Sequence, residues 1–176
     1  LALGVVVFGR PSPKGAFAAA GFVGLVALAV VGLPRPDGLL LHAVVGGTGP
    51  NASLAYVGVG RSATVTVIEN DLGWRLLTNG LPESGVDRPA LPSRRFNESA
   101  WLSLLPTAAR PETDSMLMIG LGGGNTLAAT PGSVASVDVV ELEEEVVKAN
   151  RRLPRAVDPL DRDGLRLIVG DARGAM

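Results

Sequence analysis

Cysteine is missing from all 176 residues, which excludes disulfides and thiolate-held metal. A single histidine, His42, leaves no multi-histidine metal centre to assemble and reads as structural. No metal is expected. An excess of either charge is missing too. Sixteen basic side chains face seventeen acidic ones, for a net charge of −1, and no basic stripe runs along the chain. Nucleic acid is therefore not an expected partner. Glycine and proline are plentiful, at 23 and 13, and the mean hydropathy is positive. The chain opens inside an apolar run, "LALGVVVF", and closes a few residues after a strand-like stretch. It reads as a fragment.

The positive hydropathy is concentrated near the front. Residues 16–33, "AFAAAGFVGLVALAVVGL", carry no charged side chain. As a helix they would extend about 27 Å at ~1.5 Å per residue, against a hydrocarbon layer of roughly 30 Å. Gly21 and Gly24 suit close helix packing in lipid. A transmembrane span is the expectation, with a cleaved signal peptide and a buried core helix as the competing readings. Arg10 and Lys14 on one side, against Arg35 with nearby Asp37 on the other, would weakly place everything after residue 34 outside the cell.

Prolines and glycines between Pro34 and Pro50 mark a connector. The β-branched alternation Thr64-Val65-Thr66-Val67-Ile68 then reads as a half-buried strand. "ENDLG" supplies a turn and "WRLLTN" a partner strand, with 54–59 as an extension. Residues 82–92 read as a second connector. A helix is expected over 93–105, with Ser93 as its cap and Phe96, Trp101, Leu104 and Leu105 buried, ending at Pro106. Asn51-Ala-Ser53 and Asn97-Glu-Ser99 fit the glycosylation pattern without changing this reading.

The last third carries the chemistry. Residues 116–119, "MLMI", form an apolar strand of the kind buried on both faces of a parallel sheet. Gly120, Gly122 and Gly124 follow as a G-x-G-x-G turn leading into a helix near Asn125. Glycines there permit a tight turn and let backbone N–H groups approach a ligand at the helix start. A second strand, 136–142, carries Glu141 at its end, and a helix over 143–153 has acids first and bases last, as the helix dipole favours. A third strand, 165–171, ends in Asp171. Ligands of open parallel sheets bind beyond the carboxyl ends of the strands, so the turn, Glu141 and Asp171 face one crevice. A carboxylate after the second strand can accept from two ribose hydroxyls, and one after the third from an exocyclic amine. An adenosine-bearing ligand fits, and the placement of the third glycine favours S-adenosylmethionine-type ligands over dinucleotides.

"GRSATVTVIENDLGWRLLTNG", an apolar helix ending in proline, "MLMIGLGGGNT", "VDVVELEEEVVKAN" and "LRLIVGDAR" resemble, in that order, the spermidine synthase (polyamine aminopropyltransferase) family, particularly its membrane-fused bacterial members. The resemblance spans about residues 52–176. It implies a Rossmann-like domain holding decarboxylated S-adenosylmethionine as co-substrate and passing its aminopropyl group to a small-molecule amine. Gly120, Gly122, Gly124 and Asn125 would line the ligand turn, Glu141 would bind the ribose, and Asp171 with Ala172 would contact the adenine. The catalytic aspartate would fall beyond Met176, so the chain alone is expected to be inactive. The chain departs from the family at Gly123, where an acid is usual, and at Ala63-Thr64-Val65, where a tyrosine-glutamine pair is usual.

The expected class is thus α/β: an N-terminal transmembrane helix, a small β-hairpin region, then a truncated Rossmann-like parallel sheet of the class I S-adenosylmethionine type. The expected domains are a membrane segment over 1–45, a β region with a helix over 46–110, and a nucleotide-binding half over 111–176. Membrane lipid is an expected partner and the bacterial cell membrane the expected location; the cofactor, a cytoplasmic metabolite, calls for the synthase-like part in the cytoplasm, in conflict with the charge count, and homo-oligomerisation is left open. Two alternatives stand beside aminopropyl transfer. One is an S-adenosylmethionine-dependent methyltransferase, the other a non-catalytic ligand-binding domain of a membrane transporter or sensor.

Overall fold

The computed structural model describes residues 13–32, 51–88 and 98–174. Arg10, Arg35, Asp37, His42, Ser93 and Phe96 lie outside the described residues. The chain divides into two compact units, 1–39 and 40–176.

In the first unit a helix, α1, runs over Pro13–Gly32. Proline suits a helix's first turn, where its missing N–H costs nothing. Among the described residues, however, no helix is long and apolar enough to cross a membrane. This overturns the transmembrane span in the expected fold class and the membrane location.

The second unit is mixed α/β. Its first part is a four-stranded antiparallel sheet in the order β1-β2-β3-β4, formed by Ser53–Val59, Thr64–Asn70, Gly73–Thr78 and Leu81–Asp87. The expected hairpin is β2–β3, with Asn70 opposite Gly73 and the Asn70 side chain accepting from the amides of Leu72 and Gly73. Strand β4 occupies ground that the sequence marks as a connector. The Asn79-Gly80 pair makes the two-residue turn that leads into it, with φ of +51° and +80°. Such a turn matches the natural twist of a hairpin. Pro82 is tolerated because β4 is an edge strand, paired only with β3.

Helix α2 covers Glu98–Ala109 and continues past Pro106. Thr107 donates its hydroxyl to the Ser103 carbonyl at 2.7 Å, one turn earlier. Its buried residues are Ser103 and Thr107, while Trp101 and Leu105 are exposed and Leu104 is half-buried. The helix packs through its small polar side chains against the next helix, so the expected apolar face is turned outward.

The remainder is a parallel sheet, β5-β6-β7, formed by Ser115–Ile119, Ser136–Glu141 and Leu165–Val169. Helices α3, Asn125–Ala128, and α4, Glu144–Asn150, follow its first two strands. Val137 and Val139 of β6 and Met118 of β5 join Val65, Leu76 and Trp74 of the antiparallel sheet in one hydrophobic core. Burial of β5 is one-sided, contrary to the sequence expectation. Leu117 and Ile119 are 49% and 64% exposed, because no described helix covers that face.

Candidate functional site

The chain leaves β5 through Gly120–Gly124, and the glycines there answer to different demands. Gly120, Gly122 and Gly124 have φ of +92°, +53° and +73°, a left-handed region that side chains disfavour. A Cβ at Gly120 or Gly122 would meet nothing within 4 Å. At Gly123 it would run into Ser84, at 2.1 Å from Oγ and 2.7 Å from Cβ. At Gly124 it would crowd Arg155 at 2.9 Å. Two glycines therefore border open space, and two let β4 and the far side of the turn pack close.

The carbonyls of the turn are held from behind. Asn150 of α4, fully buried, donates to the Gly122 oxygen at 2.7 Å, and Arg155 donates to the Gly123 oxygen and to Asn150 Oδ1. Burial pulls the Arg155 guanidinium below its usual range. The amides of Gly122 and Gly123 donate to no other group among the described residues. Helix α3 has only four residues, so it adds little macrodipole, and the turn's capacity for a ligand rests on these amides.

Glu141 closes β6 and is 7% exposed. Its Oε2 accepts from the Leu121 amide at 2.7 Å and its Oε1 from the Glu143 amide at 2.9 Å. A buried carboxylate is thus satisfied by two backbone N–H groups rather than by a cation. Each of its oxygens keeps further acceptor capacity. Glu141 shares a cavity of about 360 Å³ with Gly120, Gly122, Asn125, Ser84 and Glu83, and among the described residues no basic side chain lines it. That volume lies in the range of small-molecule sites.

Asn125, expected to face the ligand, is at the cavity but also structural. Its Nδ2 donates to Ser84 Oγ at 3.1 Å and to the Gly85 carbonyl at 2.8 Å, tying the turn to β4. Asp171 sits at the corresponding end of β7, one residue after Gly170, whose amide donates to the Glu141 carbonyl at 2.8 Å. Asp171 and Ala172 are outside the cavity lining. The Asp171 carboxylate is exposed and takes Arg173 Nη2 at 2.5 Å, and that guanidinium holds it below the usual carboxylate range.

The run Glu143–Glu145 looks in sequence like a solvated helix entry. Only Glu144 behaves so, with 65% of its side chain exposed. Glu143 accepts from Arg61 N at 3.0 Å, Ser62 N at 2.7 Å and the Ser62 hydroxyl, so the β1–β2 turn grips it. The Ser62 hydroxyl bond is the main cause of its lowered pKa. Glu145 accepts from the Tyr56 hydroxyl and from Lys148 at 2.9 Å. Burial, then the Glu145 bond, pushes Tyr56 up to about 12, while Arg152 lies 4.9 Å over its ring.

Glu83 and Ser84 are cavity residues that the sequence reading misses. Leu76 pairs with Ser84 and Leu77 with Pro82, so Glu83 is the extra residue of a β-bulge. Bulges re-aim side chains, and this one places Glu83 in the cavity wall. The signal that could have found it is Asn79-Gly80, which announces a returning strand.

The fold has a counterpart among solved structures. Spermidine synthase in complex with the transition-state analogue AdoDATO superposes with a TM-score of 0.56 at 20% sequence identity, over 69% of this chain. The fold is spermidine-synthase-like. The matched chain spans 42% of that protein's length. No family model matches the chain, and no curated protein does.

Proposed function

We propose that the cavity beside the glycine turn binds decarboxylated S-adenosylmethionine as co-substrate for aminopropyl transfer to a small-molecule amine. The observation that carries this reading is Glu141, a carboxylate buried at the end of β6 and lining a cavity bordered by Gly120 and Gly122. In this reading the two ribose hydroxyls donate to Glu141, while the amides of Gly122 and Gly123 and the side chain of Asn125 meet the rest of the nucleoside. Asp171 takes the adenine amine after releasing Arg173, with Ala172 against the base.

The likeness to a fold that holds AdoDATO adds support. In the transfer itself the acceptor nitrogen attacks the aminopropyl carbon, the bond from that carbon to the sulfonium breaks, and methylthioadenosine leaves. Glu141, already accepting from two amides, serves as a binder in this scheme.

The test is product analysis with the full-length protein. Methylthioadenosine released from decarboxylated S-adenosylmethionine and a diamine is the expected result. S-adenosylhomocysteine from S-adenosylmethionine would instead identify a methyltransferase, and binding without either product a ligand-binding domain.

A further inference from the structure

We propose that Asn150 and Arg155 are positioning residues for the ligand: together they lock the Gly122–Gly123 peptide so that its N–H, and not its carbonyl, faces the cavity. The proposal rests on the adenosine-ligand reading above and concerns residues that lie behind that site, outside the cavity lining.

The need for a lock comes from the sequence. A peptide flanked by glycine on both sides has no Cβ to restrict it and can turn over at little cost. A Cβ at Gly122 would meet nothing within 4 Å, so no neighbour's bulk holds the plane there. The carbonyl and N–H of a trans peptide point in opposite directions. A turned-over peptide would therefore present an oxygen to a cavity that already holds Glu141, where the ring and hydroxyl oxygens of a nucleoside need a donor.

Asn150 supplies the lock. It is the last residue of α4 and 1% exposed, and its Nδ2 donates to the Gly122 carbonyl at 2.7 Å and to the Val146 carbonyl at 2.9 Å. Both amide hydrogens are thereby used. With the Gly122 oxygen held on the α4 side, the Gly123 N–H is directed to the side where Gly122 and Gly123 line the cavity. Arg155 then fixes Asn150. Its Nη2 donates to Asn150 Oδ1 at 2.9 Å and to the Gly123 carbonyl. Reversing the Asn150 amide would bring its oxygen against two carbonyls and its NH2 against a guanidinium, so Arg155 leaves it one orientation.

Holding carbonyls is not by itself a functional role, and the chain contains its own control. Arg162 is also half-buried and donates to the carbonyls of Thr130, Pro131 and Val134 at 2.8, 2.8 and 2.6 Å, but outside the cavity lining.

Calorimetry with methylthioadenosine on the full-length protein, paired with urea denaturation, tests the proposal. Asn150→Leu should weaken binding about tenfold and Arg155→Met about fivefold, while Arg155→Lys, which keeps a donor, should stay within about twofold of the parent. Arg162→Met should lose stability and keep the parent affinity. Amide NMR of the wild-type protein adds a readout that needs no variant: saturating methylthioadenosine should move the Gly123 amide proton downfield. Unchanged affinity in Arg155→Met, equal affinity losses in Arg155→Met and Arg162→Met, or an unmoved Gly123 amide would each overturn the lock and leave the adenosine reading standing. A wild-type protein that binds neither methylthioadenosine nor either form of S-adenosylmethionine would overturn that reading, and the lock with it.

Discussion

The ends of β6 and β7 make an informative pair. Both are neighbouring parallel strands that finish in an acid, Glu141 on one and Asp171 two residues beyond the other. Glu141 is buried, held by two backbone amides and set in a cavity, while Asp171 is exposed and neutralised by its neighbour Arg173. What separates them is the packing around each end. The β6 end is braced by the glycine turn on one side and by Glu143, gripped from β1–β2, on the other. The β7 end has only a short helical turn, Ala172–Gly174. Equivalent places in a sheet acquire different chemistry from what is stacked against them.

The largest expected effect falls on the braced end. Glu141→Ala strands the buried amides of Leu121 and Glu143, so urea denaturation should show a loss of about 2–3 kcal/mol, and nucleoside binding should disappear from calorimetry. A variant as stable as the parent would mean that the two acids are equivalent after all.

The brace itself is expected to be pH-sensitive. Glu143 is held below the usual carboxylate range in the folded chain, so its contribution is present above the unfolded carboxylate pKa and is lost as pH falls through the lower folded value. Ser62→Ala removes the largest cause of that shift. The variant should lose less stability than the parent between neutral pH and acid in denaturation series, and parallel curves would show that the grip on Glu143 is energetically idle.

The smallest effect belongs to the unbraced end. Asp171→Asn should leave the denaturation midpoint where it is, since its partner is two residues away and solvated, and should weaken nucleoside binding only a fewfold. A large drop in stability would erase the contrast between the two ends.

The parallel sheet was legible because its strands are short apolar runs that stop at glycine or an acid, a pattern set by local geometry. Glu141 was legible for the same reason. Glu83 was not, because Pro82 and Gly85 look like connector residues and only an edge strand with a bulge accommodates them. The buried faces of α2 and β5 were also misjudged. Periodicity tells which residues share a face, but not which face is buried, and here Ser103 is buried while Trp101 is exposed. The apolar front segment did yield a helix, Pro13–Gly32, at nearly the expected place, although the membrane crossing read into it does not stand.

Glu143 joins two tasks in a single residue. Its amide steadies Glu141, and its side chain is clasped by the amides of Arg61 and Ser62. Coupling of this kind runs equally in both directions. A ligand that immobilises Glu141 would slow the hydrogen exchange of two amides in the β1–β2 tip, which makes that tip a built-in reporter of occupancy.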